Sequence, residues 1–136
     1  LDCNVALFSL SEDNEAIVEH CKKGGIAAIY ENGFITIKKG DWKIRVEKAT
    51  VIPLTMSGKA KFMIANVLAA TLASYIYGFK IEDIKLSLAT FIPGAAQTPG
   101  RMNVFEFSKF KVLAIKNSTI AKPKYKLNFR KLYLMG

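Results

Sequence analysis

Lys59-Ala-Lys-Phe-Met-Ile-Ala-Asn-Val-Leu-Ala-Ala-Thr-Leu-Ala-Ser-Tyr-Ile-Tyr77 reads as one long helix, stopped by Gly78. No charged residue falls between Phe62 and Phe79. That run approaches the length needed to cross a bilayer. Its body is rich in alanine instead of leucine, and it carries Asn66, Thr71 and Ser74. Such a segment inserts poorly on a transfer scale. The reading is therefore a helix buried inside an α/β domain, with no membrane partner. Asn66 is the informative residue, because a buried amide without partners costs about 1–3 kcal/mol. It is expected to bond to a neighbouring backbone, a water or a ligand. Its side-by-side donor and acceptor suit the edge of an adenine.

Upstream of this helix the signals are for a small sheet. Asn4–Leu10 is a short apolar run that reads as a buried strand. Ser11-Glu-Asp-Asn14 offers cap oxygens for a helix over Glu15–Cys21, which Gly24-Gly25 ends. Ile26–Tyr30 is a strand, and Asn32-Gly33 is a hairpin turn because both residues tolerate positive φ. Phe34–Lys38 follows. Trp42, Ile44 and Val46 then alternate with Lys43, Arg45 and Glu47. These strands predict an antiparallel meander with one wet face, decorating a sheet edge.

Downstream, Ile81–Phe91 predicts a second helix. Ile81, Ile84, Leu86 and Leu88 form its apolar side, and Glu82, Asp83 and Lys85 its wet side. Pro93-Gly94 and Gln97-Thr-Pro-Gly100 make an irregular linker, after which Asn103–Phe107 and Lys111–Ile115 read as strands. No pattern is legible beyond Lys116.

Charge is unevenly placed along the 136 residues. The net +9 resides almost wholly in residues 109–136, which hold 8 Lys+Arg and no acid, whereas residues 1–108 hold 12 and 11. The tail interleaves Lys122, Lys124, Lys126, Arg130 and Lys131 with Tyr125, Phe129 and Tyr133. That combination offers an alternative function as a non-catalytic nucleic-acid binder tracking a phosphate backbone. A solvated tail is the favoured reading, with no nucleic-acid partner. Cys3 and Cys21 form no CxxC pair and have no histidine at ligand spacing, so no metal site is expected. They read as reduced, half-buried thiols of a cytoplasmic protein. His20, the lone histidine, reads as structural or exposed. The chain opens at Leu1 directly before a strand, with no charged-then-apolar leader, as a fragment would.

No catalytic engine is visible. Ser57-Gly58-Lys59 invites a phosphate-loop reading, but Pro53 stands where the first glycine belongs and Ala60 replaces the Ser/Thr. No G-x-S-x-G or H-E-x-x-H occurs, so no catalytic residue is assigned. Arg101 lies just past the Pro99-Gly100 turn, where a planar guanidinium could fork onto a phosphate.

Taken together, the blocks are more specific than any one of them. Ile52-Pro-Leu-Thr-Met-Ser-Gly-Lys-Ala60, Ile64-Ala-Asn-Val-Leu-Ala-Ala70, Leu88-Ala-Thr-Phe91 and Gln97-Thr-Pro-Gly-Arg-Met-Asn103 occur in an order and spacing that resembles the cyanophycin synthetases, in their Mur-ligase-like half. The Tyr30-Glu-Asn-Gly33 hairpin is similar as well. The resemblance covers residues 1–113. It implies an ATP-dependent carboxylate–amine ligase: ATP activates a carboxylate as an acyl phosphate, and an amine displaces phosphate. The implied substrates are arginine and the aspartate side chains of a growing polymer. Mg²⁺ is an implied cofactor whose ligands are expected outside this stretch, and the full-length enzyme is expected to be an oligomer.

In the wider Mur-ligase family the equivalent helix opens with His-Asn-x-x-Asn. Phe62 and Met63 replace the first two residues and Asn66 keeps the last. The resemblance thus implies that Asn66 lies at the adenine pocket. It likewise implies that Arg101 reaches the ribose or phosphates from the junction of central and C-terminal domains. After Val112-Leu113 the family's Asp-Tyr-Ala-His-Asn-Pro is replaced by Ala114-Ile-Lys-Asn-Ser-Thr119. The implied α/β fold class is a fragment of a Mur-ligase-like central domain (residues 1–98) with the small meander and two adjacent helices. Residues 99–115 would be a linker and the first strands of the C-terminal domain, and 116–136 a basic divergent tail. Such a fragment is expected to be inactive alone. A sheet cut in this way is also expected to expose an edge and apolar helix faces.

Overall fold

The Asn32-Gly33 turn sets the register of the main sheet in the computed structural model, which describes residues 4–94 and three later strands, Asn103–Glu106, Lys111–Ala114 and Leu132–Met135. Both turn residues have positive φ, 50° and 83°, the backbone of a two-residue hairpin whose twist matches its strands. From it β2 (Ile26–Glu31) and β3 (Phe34–Lys39) pair antiparallel, and β4 (Trp42–Lys48) pairs antiparallel with β3. β1 (Ala6–Ser9) lies parallel to β2, with the crossover supplied by α1 (Glu15–Lys22). The sheet order is β1-β2-β3-β4. Asn14 caps α1, its Oδ1 accepting from the N–H groups of Ala16 and Ile17 at 3.1 and 3.4 Å.

Each face of the sheet is covered by a helix. Ile17 and Cys21 of α1 pack on Ala27 and Ile29. On the other face Ile64, Val67, Leu68 and Leu72 of α2 (Lys61–Tyr77) pack on Ala28, Ile35, Ile37 and Val46. The one wet face expected of the meander is therefore corrected at its centre. Ile35, Thr36 and Ile37 are consecutive and all fully buried. Thr36 stands opposite Ile29, which places it on the α1 side. Alternation of residue types reports the pleat, and it does not report which helix arrives to cover the polar positions.

His20 is structural, as expected. Its Nε2 lies 3.2 Å from the Ile26 carbonyl oxygen. Its ring fills the space beside Gly25, where an added Cβ would meet it at 2.3 Å. Cys21 is fully buried instead of half-buried, and Cys3 lies outside the described residues.

Both later helices depart in part from the sequence reading. α2 is buried along one stripe only, and Phe62, Ile76 and Tyr77 are exposed on its outer side. On α3 (Ile81–Thr90) Ile84 is buried and Ile81 and Leu88 are half-buried, but Leu86 is exposed. Two positions along a helix face away from each other, so Ile84 and Leu86 cannot share an apolar side. β1 is an edge strand, with Val5 and Phe8 open to solvent.

Two short 3-10 turns, Ala49–Val51 and Pro53–Thr55, carry the chain from β4 to α2. Thr55 is their hub. It is fully buried, and its Oγ1 bonds the carbonyl oxygens of Ala49 and Ile52 while accepting from Gly58 N–H at 3.0 Å. Met56, Ser57 and Gly58 then run through left-handed backbone in succession, with φ of 53°, 58° and 79°. Two of the three carry side chains that disfavour this conformation, so the surrounding bonds must hold it.

The chain divides into two units after Phe91. The second contains a three-stranded antiparallel sheet, with β5 (Asn103–Glu106) and β7 (Leu132–Met135) flanking β6 (Lys111–Ala114). β5 and β6 match the predicted strands to within one residue. β7 corrects the expectation that no pattern lies beyond Lys116. Four residues carry too little periodicity to be read alone, and their strand state depends on pairing with β6.

Two expected outcomes follow from this packing. Thr55→Val keeps the shape and removes the hydroxyl, so the half-buried Gly58 N–H loses its acceptor while the carbonyls of Ala49 and Ile52 keep only their backbone donors. It should lower the unfolding free energy by about 1–3 kcal/mol in a denaturant titration, and an unchanged midpoint would show that the hub is dispensable. Glu31, nearly fully buried, is bonded to Lys43, whose ammonium holds its carboxyl below the ordinary glutamate value of 4.5. A lowered folded value makes this contribution complete above pH 4.5 and lost as pH falls through the lower value. Glu12 is raised through its hydrogen bond with Glu31 and so has the opposite sign, its contribution being lost as pH rises. Stability measured against pH should fall on the acid side of 4.5 in the wild type, and Glu31→Gln should flatten that limb. An equally steep limb in the variant would assign the acid sensitivity elsewhere.

Candidate functional site

α2 and α3 diverge from a short link at Gly78–Lys80 and leave a cleft of about 640 Å³ between them. This is within the usual size for a small-molecule site. Helical spacing builds its two walls. Asn66, Val67, Ala70, Thr71 and Ser74 line it from α2, and Asp83, Ile84, Ser87, Leu88 and Phe91 from α3 and its C-cap. Ile52 and Leu54 contribute from the turns that Thr55 pins, and Phe79 from the link. The surface is mostly apolar with a few polar groups.

Asn66 lines this cleft, but not in the state expected from sequence. It is exposed, so the desolvation cost that singled it out does not apply. The helix has a wet side at this position because only its opposite stripe meets the sheet. The Asn66 amide N–H bonds the Met63 sulfur at 3.6 Å. A thioether is a weak acceptor, so the amide can exchange that contact for a better one at little cost. Thr71, fully buried at the base of α2's cleft side, has a hydroxyl with no hydrogen-bond partner among the described residues.

Charge in the cleft is sparse. Asp83 supplies it, and no lysine or arginine is among the lining residues. An anionic group entering the cleft would find no cation among its lining residues. The Ser57-Gly58-Lys59 segment does not supply one either. It belongs to the left-handed turn described above, with Lys59 exposed beyond the cleft lining. Arg101, the other residue singled out, lies outside the described residues, as do the tail residues from Lys116 through Lys131. Among the described residues, Asn66 is the one predicted site residue placed.

What sequence reasoning missed is the facing wall. Asp83, Ser87 and Phe91 recur every fourth residue, as do Asn66, Ala70 and Ser74. Two such stripes on adjacent helices were the available signal, but Asp83 reads as an ordinary position on the wet side of its helix. Among the described residues no group of three or more His, Cys, Asp or Glu could hold a metal ion. No described helix is long and apolar enough to cross a membrane.

Comparison with known proteins places this cleft in a wider context. No family model matches the chain. The cyanophycin synthetase of Geminocystis herdmanii is 51% identical over 109 residues, which is 80% of this chain and 12% of that protein. Those of Trichormus variabilis and Nostoc sp. are 50% and 49% identical over 110 residues, 81% of this chain and 12% of theirs. The chain thus spans about 12% of the length of the curated relatives it matches. Identity near one half across four fifths of its length places this chain with the cyanophycin synthetases, as the counterpart of one stretch of them.

Proposed function

We propose that the chain is part of an ATP-dependent amide ligase of cyanophycin synthesis and contributes one portion of its nucleotide site. The observation that carries this reading is the match near 50% identity to cyanophycin synthetases from several organisms. The α/β unit with its mixed sheet and covering helices is compatible with a piece of a Mur-ligase-like central domain ending near residue 98. Residues 99–115 would then begin the C-terminal domain and 116–136 would form a divergent tail.

In this reading Asn66 presents its amide to the adenine edge. Its exposure on the cleft wall and its weak sulfur contact support that role. Arg101 would reach the ribose or phosphates from the domain junction. The cleft lining holds no cation, so apart from Arg101 the phosphate grip and the Mg²⁺ ligands would come from other parts of the enzyme. When bound, ATP supplies the activation of an aspartate side-chain carboxylate for attack by arginine. This chain's residues would position the nucleoside end and leave the reacting phosphates to other groups. The stretch alone is accordingly proposed to be inactive.

A chimera tests the reading. The matching stretch of the Nostoc sp. cyanophycin synthetase is replaced by residues 1–113, and ATP-dependent incorporation of arginine into an aspartate-containing primer is measured. Incorporation should be retained. Asn66→Ala should raise KM for ATP about tenfold, equivalent to roughly 1.4 kcal/mol of lost binding. A folded chimera without incorporation would count against the ligase assignment, and an unchanged KM in Asn66→Ala against the adenine role.

A further inference from the structure

β4 is an edge of the main sheet, and its two sides differ in charge balance. On the α2 side Val46 is buried and Glu47 is paired with Lys85 at 3.6 Å. On the other side Lys43 stands opposite Lys38, Arg45 opposite Thr36 and Lys48 opposite Phe34. Phe34, Thr36 and Lys38 are two apart along β3 and so share the α1 side with their partners. α1 packs on Ala27 and Ile29 of β2, and Lys43, Arg45 and Lys48 remain exposed beyond it.

Carboxylates answer part of this row. Lys43 is bonded to the buried Glu31, to which Glu12 is also hydrogen-bonded. The ion pairs among the described residues are Lys23–Glu19, Lys43–Glu31 and Lys85–Glu47, and none involves Lys38, Arg45 or Lys48. Arg45 acts on Glu31 through space without pairing with it. Arg45 and Lys48 instead both lie over the Phe34 ring, 5.1 and 5.5 Å from its centre. The electron-rich face of the ring holds the two cations in place. Like charges gathered on one ring also repel each other, and an anion shared between them relieves that repulsion.

We infer that the β4 edge is a docking surface for an extended acidic polypeptide segment, which adds as a strand beside Trp42–Lys48 and sets carboxylates on Arg45 and Lys48. Three features select this partner. Alternate N–H and C=O groups of an edge strand face outward, and another peptide backbone is what pairs with them. The side chains of an added strand repeat every second residue, as Lys43 and Arg45 do. Unpaired cations favour carboxylates across from them and oppose lysines. The same row therefore bars basic strands from an edge that an uncharged strand would leave open to indiscriminate pairing. This surface lies on a different helix side of the sheet from the α2–α3 cleft, and the inference is independent of the nucleotide reading of that cleft.

The test follows amide signals of the full 136-residue chain by NMR. Oligo-aspartate, oligo-lysine and single-stranded oligo-deoxythymidylate of equal length are titrated separately. Oligo-aspartate should shift the amides of Trp42–Lys48 and slow hydrogen exchange at those facing outward, with an affinity that falls as salt rises. Oligo-lysine should leave them in place. Arg45→Gln combined with Lys48→Gln should weaken the Kd read at β4 about fivefold, the size of two exposed ion pairs. Lys59→Gln combined with Lys80→Gln removes the same charge elsewhere and should leave that Kd unchanged. A cooperative melt confirms that each variant is folded. If the first pair does not fold, Arg45→Gln alone replaces it, with a loss of about twofold expected from one such pair. The inference is overturned if oligo-aspartate leaves Trp42–Lys48 unshifted or acts only on residues 109–136. It is equally overturned if oligo-deoxythymidylate reproduces the β4 shifts, which would mark a general anion patch, or if the Arg45 and Lys48 variants bind as the wild type does.

Discussion

The contact on which the described fold depends is the packing of α2 against Ala28, Ile35 and Ile37 of the sheet. Ile64, Val67, Leu68 and Leu72 recur at helical spacing and meet strand residues spaced two apart. Each fully buried side chain of this kind contributes roughly 1.5–3 kcal/mol relative to exposure. The stripe also fixes the rotation of α2 about its axis. Once Val67 and Leu68 point at the sheet, Asn66 and Ala70 are turned away from it and towards α3. The face of α2 that lines the cleft is thus a geometric consequence of the core.

Thr55 connects this core to the cleft. Its hydroxyl ties together the two short turns and the left-handed segment Met56–Gly58, and that segment sets where α2 begins. Ile52 and Leu54, on the same turns, close one part of the cleft. A single buried side chain therefore positions both the start of the helix and part of the wall that faces its ligand side. A local αL run of this kind persists only when its surroundings over-determine it.

The cleft lining is mostly apolar, with a few directional polar groups and no cation. A pocket that recognises a base needs apolar walls and one or two directional polar groups. A pocket that holds phosphates needs cations. The lining offers the first set and lacks the second. Asn66 supplies a neutral donor and an acceptor, and Asp83 a charged acceptor.

The sequence by itself determined most of the local elements. The Asn32-Gly33 hairpin, the Asn14 cap and the Gly78 stop hold because each is a short-range property of one or two residues, φ tolerance or a side-chain oxygen within reach. The ordered blocks around Asn66 also sufficed to place the chain with its relatives. Burial was less legible. Thr36 reads as polar and is fully enclosed, Asn66 reads as buried and is exposed, and Leu86 reads as core and is open. In each case a neighbouring element decides, because periodicity reports which residues share a face and does not say what covers that face. The strand Leu132–Met135 and the facing of Asp83 towards Asn66's helix are likewise tertiary outcomes. They depend on pairing and packing between segments far apart in the chain or joined at an angle, for which four residues or one carboxylate carry no local signal.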